Sequence, residues 1–85
     1  MPEISRFLGI VIKMYYREHA PPHFHAEYGG HEVVVDVGTG EVTGRFPPRS
    51  LRHVLEWYDL HRAELEANWK LAERRLPLKP IHPLE

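Results

Sequence analysis

Apolar residues alternate with polar ones in the first half of the chain and recur at helical spacing in the second. From Gly9 to Tyr16 the run is rich in β-branched and aromatic residues and predicts a first strand, with Ile10, Ile12, Met14 and Tyr16 sharing one face. Pro21 and Pro22 forbid a helix in the following loop. His23 to Tyr28 and His31 to Val37 then read as two strands joined by Gly29-Gly30, a dipeptide suited to the positive φ angles of a tight hairpin. A two-residue loop sets the register: Tyr28 faces His31, Ala26 faces Val33, Phe24 faces Val35 and His23 faces Asp36. After a turn through Gly38-Thr39-Gly40, Glu41 to Phe46 supplies a fourth strand. An even loop puts Val42, Gly44 and Phe46 on the apolar face, whereas an odd one would bury Arg45.

Pro47-Pro48 closes the sheet and suits the first turn of a helix, where a missing amide hydrogen is harmless. From about Arg49 to about Arg74, Leu51, Val54, Leu55, Tyr58, Leu65 and Trp69 recur at spacings of three, four and seven, with Trp57, Leu60, Asn68 and Leu71 widening the stripe. A helix of roughly 25 residues would be about 38 Å long, more than so small a sheet can cover, so a bend near Leu60 to Arg62 or a protruding end is expected. The tail from Leu76 to Glu85 has recurring prolines and predicts an extended strap or a disordered end. The fold class is therefore α+β: an antiparallel sheet of about four strands with a long C-terminal helix packed on one face.

Eighty-five residues of which 42% are hydrophobic can build one core, so a single domain is expected over 1–85, with 1–75 as folded core and 76–85 as the proline-rich tail. So small a domain often gains from a second copy of itself, which makes a homo-oligomer the default expectation. With no cysteine, disulfides, thiolate metal sites and cysteine nucleophiles are excluded. The N-terminal residues lack the layout of a signal peptide and no apolar run approaches the roughly 20 residues that span a bilayer, so a cytoplasmic protein without a membrane partner is expected. A formal charge of -1 argues against a broad electrostatic footprint for nucleic acid.

Seven histidines are many for this length. The register places His23 and His25 on one side of their strand, with Asp36 opposite His23, Lys13 and Tyr15 on the neighbouring strand, Arg17 at that strand's end and His19 in the proline-rich loop. Three readings follow. In an acid–base site, a histidine oriented by Asp36 moves a proton and Lys13 or Arg17 stabilises developing negative charge, equipment that cuts RNA without a metal. In a metal site, His23 and His25 with His19, Asp36 or Glu27 hold a divalent ion, since His-x-His on a strand points both rings the same way. In the third, the imidazoles fill an amphipathic surface and take part in a contact with another protein. No resident cofactor is expected beyond that metal alternative, and the glycines match no phosphate-cradling motif. His31, His53, His61 and His82 read as hairpin-end, boundary and tail residues, and Trp57 and Trp69 as packing anchors.

The stretch from Pro2 to Tyr16, followed by His19-Ala20-Pro21-Pro22-His23-Phe24-His25-Ala26-Glu27-Tyr28, resembles a small prokaryotic family known as the domain of unknown function numbered 4160. Thr39 to Val42, Leu55 to Trp57, His61 to Leu65 and Asn68-Trp69 continue the resemblance. It implies a small protein often encoded beside a second one, of an unknown-function family numbered 2442, in an arrangement similar to toxin–antitoxin pairs. On that footing the expectation is a toxin–antitoxin-type component acting with that protein partner, with metal-independent ribonuclease activity at the histidine face. A metal- or ligand-binding module and a non-catalytic interaction domain are the alternatives.

Overall fold

A computed structural model describes residues 3–85; Met1 and Pro2, where the N-terminal stretch read above begins, lie outside the described residues. The chain forms β1 (Glu3–Phe7), β2 (Ile10–Lys13), β3 (His23–Tyr28), β4 (His31–Asp36), β5 (Val42–Arg45), α1 (Pro48–Leu60) and α2 (Arg62–Glu73). The five strands make one antiparallel sheet in chain order. This is an α+β fold with one strand more than the expected four. The addition is β1, which pairs with β2 through a two-residue turn at Leu8 and Gly9, both at positive φ (51° and 79°). A register shift between Glu3 and Ser5 buries Ile4 and Ser5 side by side, so the alternation that marks a strand is broken where β1 begins.

Elsewhere the register agrees with the expectation. Across β3 and β4, His23 pairs with Asp36, Phe24 with Val35, Ala26 with Val33 and Tyr28 with His31. Val35 pairs with Val42 and Val33 with Gly44, so β5 presents the predicted face. Ile10, Ile12, Met14, Phe24, Ala26, Val35 and Val37 are fully buried, and the helices cover them. The ring of Trp57 packs on Phe7 and Phe24, and the Tyr58 hydroxyl donates 2.7 Å to the Val37 carbonyl. Tyr16 lies beyond the end of β2, half-buried, and its hydroxyl donates to the Leu76 carbonyl.

The expected single long helix is two helices. Pro48 opens α1 at its first position with Pro47 as the cap, as anticipated. At His61 the backbone leaves helical geometry (φ −125°, ψ 24°), and α2 starts at the next residue. This break is the solution to the length problem: it turns Leu65, Asn68 and Trp69 back onto the sheet. Leu60, read as part of the apolar stripe, sits at the break and is 65% exposed. Residues 76–85 form an extended strap rather than a disordered end. Asn68, buried on α2, holds the backbone of Lys79 with two hydrogen bonds of 2.9 Å. The Trp57 indole donates to the His82 carbonyl, and the buried Ile81 donates its N–H 2.7 Å to the Ile4 carbonyl on β1. Among the described residues no helix is long and apolar enough to cross a membrane.

Candidate functional site

Because side chains alternate across a strand, the β3 residues that flank Phe24 and Ala26 leave from the opposite face of the strand. His25 stands between Lys13 on β2 and Val34 on β4, and His23 stands one pair further along, opposite Asp36. Their side chains are only 15% and 16% exposed. The cover comes from the loop between β2 and β3. Arg17 adopts a left-handed conformation (φ 64°) and the chain folds back so that the next residue, Glu18, reaches over both rings.

Glu18 Oε1 lies 2.7 Å from His25 Nε2 and 3.3 Å from His23 Nε2. The other nitrogen of each ring is also engaged. His23 Nδ1 is 2.8 Å from the Pro21 carbonyl, and His25 Nδ1 is 3.0 Å from Glu32 Oε2. A carbonyl can only accept, so His23 carries a hydrogen on Nδ1 while its Nε2 faces the Glu18 carboxylate. The rings are held from the sides as well: Tyr15 meets His25 edge-on at 4.7 Å between centroids, and Trp69 of α2 packs on His23 at 5.1 Å. Hydrogen bonding from His25 holds the Glu18 carboxyl below the usual carboxylate range; burial works against this and the bond from His23 adds to it. The product is a cluster in which two imidazole Nε2 atoms and one carboxylate oxygen lie within 4.8 Å of one another.

The residues singled out in the sequence fall into two groups. His23 and His25 are together, as expected. Asp36 is opposite His23 in register, but its Oδ1 accepts from the backbone N–H groups of Gly38 and Thr39 at 2.8 and 2.9 Å, closing the turn after β4. Lys13 is beside His25 in register and forms an ion pair with Glu27 at 3.1 Å. Arg17 is exposed at the loop's corner. His19 is exposed too, outside the cluster, and Glu18 takes the third place that His19, Asp36 or Glu27 was expected to fill. Sequence reasoning missed Glu18 and Glu32. The one available signal was that Glu18 is the sole acidic residue between Met14 and Pro22. Beside His23 a cleft of about 200 Å³ is lined by Pro21, Val34, Asp36, Glu41 and Thr43.

A five-stranded antiparallel meander backed by two helices, with an imidazole–carboxylate cluster on its open face, defines a small α+β domain that concentrates polar chemistry on one strand. The chain matches the family described as Domain of unknown function (DUF4160) over residues 9–70, and it belongs to that family. The matched span contains Glu18, His23, His25 and Glu32, and ends before the strap. No curated protein and no solved structure matches the chain.

Proposed function

We propose that this domain binds a divalent transition-metal ion through Glu18 Oε1, His23 Nε2 and His25 Nε2. One observation carries the reading: both Nε2 atoms converge on the same carboxylate oxygen while both Nδ1 atoms are held by acceptors, Pro21 O and Glu32. Metal-ligating histidines are commonly oriented in this way, through a carbonyl or carboxylate on the ring nitrogen that does not face the ion. With bonds of about 2.0–2.1 Å, tetrahedral zinc ligands sit roughly 3.3 Å apart, the separation between His23 Nε2 and Glu18 Oε1, whereas His25 Nε2, at 2.7 Å from the same oxygen, has to draw back to admit the ion. With Glu18, His23 and His25 as its protein ligands, an ion held here would keep a further position for water and would supply Lewis acidity near neutral pH.

Titration of the chelator-treated protein with zinc, nickel or manganese, followed by calorimetry, tests the proposal. One equivalent is expected to bind, binding is lost in Glu18→Gln, His23→Ala and His25→Ala, and Glu32→Gln weakens it about 10–100-fold. Binding unaffected by Glu18→Gln and His25→Ala would end the proposal.

A second reading keeps the metal-independent ribonuclease expectation. His25 faces a carboxylate at each nitrogen, Glu32 at Nδ1 and Glu18 at Nε2, which fixes the ring in the orientation a general acid or base needs. That reading predicts RNA cleavage in excess chelator, lost in His25→Ala. For either chemistry the proposed context is a complex with a protein of the family-2442 type encoded nearby; co-purification from a two-gene expression plasmid tests it.

A further inference from the structure

The cluster has a second side. A cleft of about 450 Å³ opens between the β2–β3 loop and the end of α2, lined by Tyr15, Arg17, Glu18, Trp69, Glu73 and Arg75 among others. Three of these touch the histidines directly: Tyr15 packs on His25, Trp69 on His23, and Glu18 bonds to both. The cleft therefore adjoins the cluster, sharing Glu18 with it. Arg17 and Arg75 are exposed on its rim, and among the described residues neither forms an ion pair or a side-chain hydrogen bond, although Glu73 and Glu18 share the wall.

The backbone supplies an independent observation. Among the described residues three non-glycines have positive φ: Leu8 in the first hairpin turn, and Arg17 and Arg75, at 64° and 57°. Both arginines of this cleft thus occupy a conformation that disfavours any residue with a Cβ. At Arg75 the misfit is specific. The Leu76 N–H donates to the Leu71 carbonyl and the Arg75 N–H to the Ala72 carbonyl, with Arg74 as the C-cap. That is the Schellman ending of a helix, whose left-handed position is most commonly glycine. A helix end built for glycine, and a loop corner built the same way, each contribute an arginine to the lining of the same cleft. Residues held in disfavoured backbone regions concentrate where a ligand is gripped.

We infer that Arg17 and Arg75 form an oxyanion-binding pair in the cleft beside the Glu18–His23–His25 cluster, and that the ligand it takes is a small molecule bearing a phosphoryl group. Two guanidinium forks match the geometry of phosphate oxygens. The placement of that phosphoryl group beside an ion rests on the metal reading above; the arginine pair itself does not need the ion.

The probe is inorganic phosphate, titrated into the full chain in chelator and again after nickel loading, with NMR shifts as the readout. Arg17→Gly and Arg75→Gly are each expected to weaken phosphate about tenfold, the loss of about 1.4 kcal/mol, while the melting temperature holds or rises because glycine relieves the left-handed strain. Nickel loading is expected to tighten phosphate in the wild type. Unchanged phosphate affinity in both glycine variants overturns the inference, and so does a fall in melting temperature that accompanies the loss, since the arginines would then be supporting the fold. If the chelated protein binds phosphate through the arginines but takes up no metal, the metal proposal fails and the oxyanion site stands. If metal binds and phosphate ignores both variants, the reverse holds.

Discussion

The two sides of β3 are built from one hexapeptide by opposite means. Phe24 and Ala26 face the helices, are fully buried and are positioned by packing against Trp57, Tyr58 and their neighbours. His23 and His25 leave the opposite face; Tyr15 and Trp69 pack on their rings, but every ring nitrogen is also fixed by a hydrogen-bond partner, Glu18, Pro21 or Glu32. Packing is non-directional, so many apolar side chains of similar volume satisfy the first side. Hydrogen bonds are directional and each ring nitrogen has one partner, so the second side tolerates little. Stability should therefore reside on the inner side and ligand chemistry on the outer one.

Substitutions can separate these two roles. Phe24→Ala should cost the most, about 3–5 kcal/mol in urea-induced unfolding, through a cavity under Trp57. Asn68→Ala should cost about 1–3 kcal/mol by releasing the Lys79 backbone, and limited proteolysis should then cut the strap first. His25→Ala should cost within about 1 kcal/mol, because its carboxylate partners are partly exposed, while metal binding disappears. A loss as large as that of Phe24→Ala would make the outer side structural and erase the distinction. Asp36→Ala should cost about 1 kcal/mol by opening its turn and leave metal affinity unchanged. If it abolishes function instead, Asp36 acts on His23.

Acid titration gives the smallest and most specific test. The Glu18 carboxyl is lowered in the folded state, so its contribution is fully present above the unfolded carboxyl's pKa of about 4.3 and is lost as pH falls through the folded value. Stability of the wild type should therefore decline below about pH 4.3 more steeply than that of Glu18→Gln. Parallel pH profiles would show that Glu18 does not sense the histidines.

The parts of this arrangement that could be read in advance are those governed by local rules. Gly29-Gly30 set the β3–β4 register because a two-residue loop leaves no freedom to slip, and that placed His23 and His25 on one side. The excess length of the helical pattern pointed to a bend near Leu60 to Arg62, and the break is at His61. β1 was invisible for a local reason as well: the Ile4-Ser5 irregularity breaks the alternation, and Leu8 occupies a turn position where glycine or asparagine is the usual sign. Asp36 illustrates competition between rules. Cross-strand pairing put it beside His23, but the following Gly38-Thr39 offers N–H groups to its short side chain, a signal that was present and outweighed. Glu18 had no local rule to announce it. Its reach over β3 depends on the left-handed corner at Arg17 and on Pro21 and Pro22 bringing the loop back, a three-dimensional consequence of several residues acting together.

The bond from Ile81 to Ile4 ties the C-terminal strap to the first strand. Between Ile4 and Ile81 the described chain thus runs in a nearly closed circuit. A circularly permuted version of residues 3–85, with Glu3 and Glu85 joined by a short linker and new ends opened at the exposed Gly29-Gly30 turn, should retain the histidine geometry.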